Sequence, residues 1–242
     1  MHLLPLLLLL LLSPTTFSLS VNPTKLSSQS TKAFRTTMSP NRVDPTATTP
    51  IRTVMKFGGS SLADASRIDY VAKLIKSQIE KGIRPQAMVC SAMGKTTNNL
   101  LNAGDAALTM SSCNVDAIRT LHMNVIEEFQ LPNSTKVEID GLLRELEALL
   151  MGVNMLKELS PRSLDMLVSY GERMSVRIMS ARLNQLGVPA VAVDAWNVGF
   201  MTNGDFGDAA LLDSSEASIR EAFSSKIDPQ VSGKERIRSV MG

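Results

Sequence analysis

The chain of 242 residues is 44% hydrophobic and 20% charged, a globular balance with apolar mass for one sizeable core in one or two domains. Aromatic residues make up only 4%, while methionine reaches 14 copies, which favours aliphatic helices around a buried sheet over an aromatic-rich β-sandwich. The net charge of +2 is too small to support a nucleic-acid partner.

That small total hides an asymmetry. Residues 1–52 hold Lys25, Lys32, Arg35, Arg42 and Arg52 against Asp44 alone, so residues 53–242 keep 20 of the 25 basic and 22 of the 23 acidic side chains. The chain opens on Leu3-Leu4-Pro5 and an unbroken Leu6–Leu12, an apolar run of about ten residues. This fits the core of a signal peptide over 1–17 and falls short of the ~20 residues a membrane span needs, so no stable membrane anchor is expected. The positive charge that usually precedes such a run is missing. From Ser18 to Arg52 the chain is rich in Ser, Thr and Pro and nearly free of acids, a transit-peptide composition with no periodic apolar face to bury. A signal segment joined to this 18–52 segment, with Phe17 near the junction, resembles the bipartite presequences that deliver proteins into plastids. A secretory signal followed by a linker is the alternative.

Thr53–Phe57 is short, apolar and β-branched at its start, and it runs into Gly58-Gly59, as a buried strand ending in a tight loop does. Asp64 or Ala65 opens a helix to about Lys81, with Ile68, Val71, Ala72, Ile75 and Ile79 on one face; Gly82 stops it. Gln86–Ser91 reads as a second buried strand. Strand, helix, strand is a βαβ unit, with a right-handed crossover and a parallel sheet. Helical spacing follows over Thr97–Thr109, Val115–Gln130, Lys136–Leu159 and Ser163–Leu186, with breaks at Pro132 and Pro161. Ser160-Pro161 is a helix start, serine capping and proline in the first turn. Gly187 and Pro189 end that helix, Ala190–Val193 reads as a third strand, Trp196–Asp208 as a loop or short hairpin, and Ser214–Ser224 as a last helix. Cys90 and Cys113 have no metal-ligand spacing and suggest no disulfide framework, and His2 and His122 lie far apart, so no metal site is assigned.

Phosphoryl transfer needs cations and backbone N–H groups around migrating charge, and few reactive side chains. Lys56-Phe57-Gly58-Gly59-Ser60-Ser61 supplies those parts at a strand end. The glycines let backbone approach a phosphate, Ser60 and Ser61 add hydroxyls, the following helix presents its positive end, and Lys56 reaches across the loop. A glycine turn beside a surface lysine reads the same way on its own. Val89–Asn98 closes the second strand. Its Gly94-Lys95-Thr96 is not a P-loop, because Val89 stands where that motif needs its first glycine. Ser169–Ser175 lies within a helix, where Gly171 costs about 1 kcal/mol against alanine and so implies a packing or binding reason. Glu172 beside it reads equally as a solvated helix charge.

Together these segments resemble the aspartate kinases of the amino-acid kinase superfamily, over nearly all of residues 53–226. The family's Lys-Phe-Gly-Gly-(Thr/Ser)-Ser is Lys56–Ser61; its Val-x-Ser-Ala-Met segment ending in Thr-Asn is Val89–Asn98; its Gly-Glu-Arg-x-Ser is Gly171–Ser175; its Asp-Ala-x-x-x-Gly-Phe-x-Thr is Asp194–Thr202, with Asp205-Phe206 following. The resemblance implies an α/β fold, a three-layer αβα arrangement with a mostly parallel central sheet. It implies ATP-dependent phosphorylation of L-aspartate to 4-phospho-L-aspartate, the first step towards lysine, threonine and methionine. Lys56 would be catalytic, stabilising the migrating phosphoryl group, with Gly58, Gly59, Ser60 and Ser61 near the ATP phosphates. Ser91, Thr97 and Glu172 would hold aspartate, Glu172 facing its α-ammonium. Mg²⁺ is expected with ATP, and a homo-oligomer in the full-length form.

The family's later Val-Val-Thr-Gly-type strand, its Gly-Arg-Gly-Gly-Ser-Asp motif and its paired regulatory domains are not found. After Ile227-Asp228-Pro229 the text turns polar and basic, so the catalytic domain is expected to run over 53–229, C-terminally truncated, with a divergent tail at 230–242 and an unfinished sheet edge. Two alternatives stand beside the kinase reading: another superfamily member acting on glutamate, acetylglutamate or a nucleoside monophosphate, and an inactive fragment that partners a full-length kinase.

Overall fold

The structure, a computed structural model, describes residues 53–83, 85–224 and 237–241. The expected signal segment, the transit-like segment, residues 225–229 at the end of the expected catalytic domain, and residues 230–236 and 242 of the expected tail lie outside the described residues. Strand β1 (Thr53–Phe57) and strand β2 (Pro85–Cys90) pair in parallel from Thr53↔Pro85 to Phe57↔Cys90, joined by helix α1 (Ala65–Glu80). The helix begins where Asp64 caps it and ends as expected at Gly82, whose φ of +84° suits glycine. Helices α2 (Thr96–Thr109), α3 (Asp116–Glu128), α4 (Asn133–Leu156) and α5 (Pro161–Gln185) follow, then strand β3 (Ala190–Val193) and helix α6 (Ser214–Ser224). Ser160 caps α5 by accepting from Ser163 N at 3.2 Å, as its sequence signature implied. The helix α4 starts three residues ahead of its apolar periodicity, because Pro132 supplies the opening carbonyl to Thr135 N. The Trp196–Asp208 loop carries a 3₁₀ turn at Ala195–Val198 and a single antiparallel bridge, Thr202↔Leu211.

One expectation is corrected. Ile237–Met241, placed by sequence in a tail unrelated to the fold, forms strand β4 between β2 and β3, in the order β1-β2-β4-β3. It pairs in parallel with both neighbours, Ala87↔Arg238 to Cys90↔Met241 on one side and Ala190↔Ile237 to Val193↔Val240 on the other. Backbone pairing between two inner edges tolerates composition, so Arg238, part of the polar and basic run that argued against a strand, does not prevent one.

Alternation across the sheet divides its faces. Met55, Phe57, Met88, Cys90, Ala190 and Ala192 face the large core with α1 and α5. Val54, Ala87 and Val193 face the opposite side, with Val198, Phe200, Ala222 and Phe223. Helices thus cover both faces, the three-layer arrangement that the resemblance implied. Beyond the sheet, α2, α3, α4 and α5 share a core of Leu100, Ile118, Ile139, Leu143, Leu146 and Leu167, each at most 1% exposed. No helix among the described residues is long and apolar enough to cross a membrane.

Candidate active site

Because the strands are all parallel, the loops after β1, β2 and β3 leave one edge of the sheet, the edge where ligands bind in open α/β folds. The loop after β1 is a 3₁₀ turn, Gly59–Leu62, closed by Ser61 N donating to Gly58 O at 2.9 Å. It packs backbone to backbone on the loop after β2. Gly94 N donates to Gly59 O at 3.2 Å, Ser91 N donates to Phe57 O at 3.0 Å, and a Cβ on Gly59 would stand 2.7 Å from Ala92 O. Gly94 itself is left-handed at φ +50°, with Ala63 O 3.0 Å from where its Cβ would be.

The positive end of α1, expected to face a phosphate, is otherwise engaged. Asp64 Oδ1 accepts from Arg67 N at 2.9 Å, and Arg67 donates through its guanidinium to Ser60 O at 2.9 Å. An acid already sits on that dipole and offsets its charge. Lys56, last but one in β1, is exposed and shares the α6-side face with Val54 by alternation. Among the described residues its ammonium has no ion pair.

Helix α5 closes the junction from the opposite face. A Cβ on Gly171 would lie 2.7 Å from Ala92 Cβ and 3.3 Å from Thr96 Cγ2, so close approach of α5 is the reason for a glycine inside this helix. The next residue, Glu172, is half-buried, and its Oε1 accepts from Ala92 N at 3.4 Å. Burial pushes its carboxyl up to about 7, while backbone N–H groups of Glu172 and Ala92 pull weakly the other way. A cation placed beside it would lower that value and be held in return. Ser91 and Thr97 are half-buried on either side of Ala92, Thr97 in the first turn of α2. Thr96 between them is fully buried, its hydroxyl without a partner among the described residues. Gly58, Gly59, Ser60, Ser61, Ser91 and Glu172 thus lie on or against the two loops that meet at the Gly59–Ala92 contact, with Thr97 in the adjoining first turn of α2. Lys56 stands near the same end of β1, on the other face of the sheet.

Sequence reading left one cluster without a role. Asp194, at the end of β3, is 5% exposed and takes a two-pronged grip from Arg177, NH1 to Oδ1 at 2.9 Å and NH2 to Oδ2 at 3.2 Å. Arg173 lies one helical turn earlier, its Nε 3.8 Å from Asp194 Oδ2, its NH2 donating to Glu145 Oε2 at 3.2 Å, and its guanidinium over the rings of Tyr170 and Trp196 at 4.8 and 5.5 Å. The i, i+4 spacing of two arginines was visible, but nothing local names an acid on another element as their partner.

The amino acid kinase family matches residues 52–238. Aspartokinase 1, chloroplastic, of Arabidopsis thaliana is 42% identical over 174 residues, 70% of this chain and 30% of that protein. The aspartokinase of Saccharomyces cerevisiae is 30% identical over 215 residues, 83% of this chain and 40% of that protein. Among solved structures, Escherichia coli aspartokinase III in complex with aspartate and ADP superposes with a TM-score of 0.63 at 26% identity, covering 78% of this chain and 40% of that one. The chain thus spans about a third of the length of the curated relatives it matches. With a family match over most of its residues, this chain belongs to the amino acid kinase family.

Proposed function

We propose that this chain carries the aspartate subsite and phosphate turn of an aspartate kinase, which moves the γ-phosphoryl group of ATP onto the side-chain carboxylate of L-aspartate. The observation that carries the reading is the seating of Glu172, raised in pKa by burial, on the loop that also packs against the glycine turn. That arrangement suits a substrate with an α-ammonium at one end and a reacting carboxylate at the other. Glu172 holds the ammonium, and Ser91 and Thr97 donate to the substrate's oxygens. Gly58, Gly59, Ser60 and Ser61 line the phosphates, and Lys56, from the far face, balances charge on the migrating group. The carboxylate is already an ionised nucleophile, so the protein's share is alignment and electrostatics, with no covalent enzyme intermediate.

Mg²⁺, when bound with ATP, neutralises charge between its phosphates. The ion is carried by the nucleotide rather than by a protein cage. The product, 4-phospho-L-aspartate, opens the route to lysine, threonine and methionine. The chloroplastic names of the Arabidopsis relatives support a plastid location reached through residues 1–52, and a homo-oligomer is the proposed assembly.

The test is a hydroxylamine trap for the acyl phosphate, with L-aspartate and MgATP supplied to this chain alone and to the chain extended by its downstream genomic sequence. Aspartyl hydroxamate is expected; none from either protein would refute the kinase reading. Product from the extended chain alone would show that the reaction needs residues downstream of Gly242.

A further inference from the structure

Glu172 and Arg173 are adjacent in α5 and point to different strand ends. Glu172 meets Ala92 after β2, while Arg173 and Arg177 meet Asp194 at the end of β3. Strand β4 lies between β2 and β3, so α5 spans three strands and is gripped at both ends of that span. The two grips are unequal. The Glu172 contact is one hydrogen bond of 3.4 Å, whereas Asp194 receives Arg177's fork at 2.9 and 3.2 Å with Arg173 at 3.8 Å. Arg177 also donates to the carbonyl of Arg173 at 2.8 Å, tying the side-chain anchor to the backbone of the turn that carries Glu172. The rings of Tyr170 and Trp196 and the carboxylate of Glu145 hold the Arg173 guanidinium from other sides.

The geometry points to Arg173 as a positioning residue for substrate: through Asp194 and Trp196 it sets the rotation of α5 about its axis, and so the aim of Glu172. This rests on the reading of Glu172 as the ammonium site. Side chains end about 5 Å from a helix axis. A rotation of about 10° therefore moves the carboxylate by nearly 1 Å, enough to cost up to about 100-fold where alignment matters. Arg173 does not itself meet the substrate, because its charge is engaged by Asp194 and Glu145.

A double-mutant cycle separates this role from direct binding and from a general structural one. Arg173→Met keeps the stem and removes the Asp194, Glu145 and Trp196 contacts of this guanidinium while Arg177's fork stays; it should raise the KM for aspartate about tenfold, with the KM for ATP within twofold. In a Glu172→Gln background the same change should add less than twofold, since nothing is left to aim. Additive losses would overturn the proposal in favour of direct contact, and equal losses for both substrates would overturn it in favour of general disruption. Asp194→Asn, which keeps the shape of the anchor, gives the same comparison where Arg173→Met does not fold. Two readouts need no aspartate. Trp196 is the chain's one tryptophan and is 51% exposed, so its emission should shift in Arg173→Met, and the Glu172 carboxyl, followed by ¹³C NMR, should titrate lower as the helix loosens. If wild type binds no aspartate, the ammonium reading fails. The coupling of Arg173 to Glu172 still stands if the emission and titration both move, and falls if they do not.

Discussion

The carboxylate of Glu172 accepts from the backbone N–H of Ala92, 80 residues earlier in the chain, at 3.4 Å. The contact exists because Gly171 has no side chain: its Cβ would stand 2.7 Å from Ala92 Cβ and 3.3 Å from Thr96 Cγ2. Proximity of α5 to the loop after β2 is thus set by a glycine, and the aim of the acid by its neighbours.

Gly171→Ala is therefore expected to destabilise the protein by about 1–3 kcal/mol despite alanine's better helix propensity, because the overlap is with short, packed groups. Gly152→Ala in α4, where nothing lies within 4 Å of the added Cβ, should instead stabilise by about 0.5–1 kcal/mol. Denaturant melts of both variants decide the matter. Equal effects would show that α5 is not held this tightly.

Aspartate affinity should depend on pH through Glu172. Its carboxyl sits near 7 in the free protein, raised by burial, so below that value the ammonium site is neutral. Affinity measured by calorimetry should fall as pH drops from 8 to 6, and Glu172→Gln should bind weakly and lose that slope. The sign for stability is opposite. A raised carboxyl pKa means the folded state favours the proton, so stability declines from about pH 4.5 to 7, the window between the ordinary and folded values. Glu172→Gln should accordingly raise Tm at pH 8 and leave it unchanged at pH 4.

Lys56→Ala should lower kcat by about 100- to 1,000-fold, the usual loss when one charge-stabilising group is removed from a transition state. Lys56 is exposed, so the melting curve should not move. Retained turnover in the hydroxamate assay would remove Lys56 from the mechanism.

Acid sensitivity should come chiefly from His122. It is fully buried in α3, its Nδ1 donates to Ile118 O at 2.7 Å, and Nε2 has no partner among the described residues. Desolvation pulls its pKa down to about 4, so folding favours the neutral ring. The His122 contribution should be fully present above pH 6.5 and be lost between 6.5 and 4, by up to about 3 kcal/mol, against the opposite slope that Glu172 adds. His122→Leu should flatten that limb in urea melts at pH 5 while changing little at pH 8. An unchanged limb would place the acid transition elsewhere.

Most of the elements were legible in the sequence because their signals are local. Thr53–Phe57, Ala190–Val193 and Ser214–Ser224 fall where apolar runs, Gly187, Pro189 and helical spacing place them. The site motifs were equally legible as short runs, and Gly171 announced a close approach by its cost in a helix. The sequence could not name what approached it. The Ala92 contact, the Asp194 anchor shared by Arg173 and Arg177, and the prior capping of α1 by Asp64 join residues on different elements or turn on side-chain geometry. Strand β4 shows the same limit: Ile237–Met241 read as polar tail, because strand pairing comes from backbone edges left open by β2 and β3. By itself the sequence determined which segments form and which residues carry charge and conformational freedom, since those follow from side-chain chemistry and local spacing. Only the tertiary structure decided which faces meet, how deeply Glu172 is buried and what aims it, since those depend on distances between chain segments that no local pattern encodes.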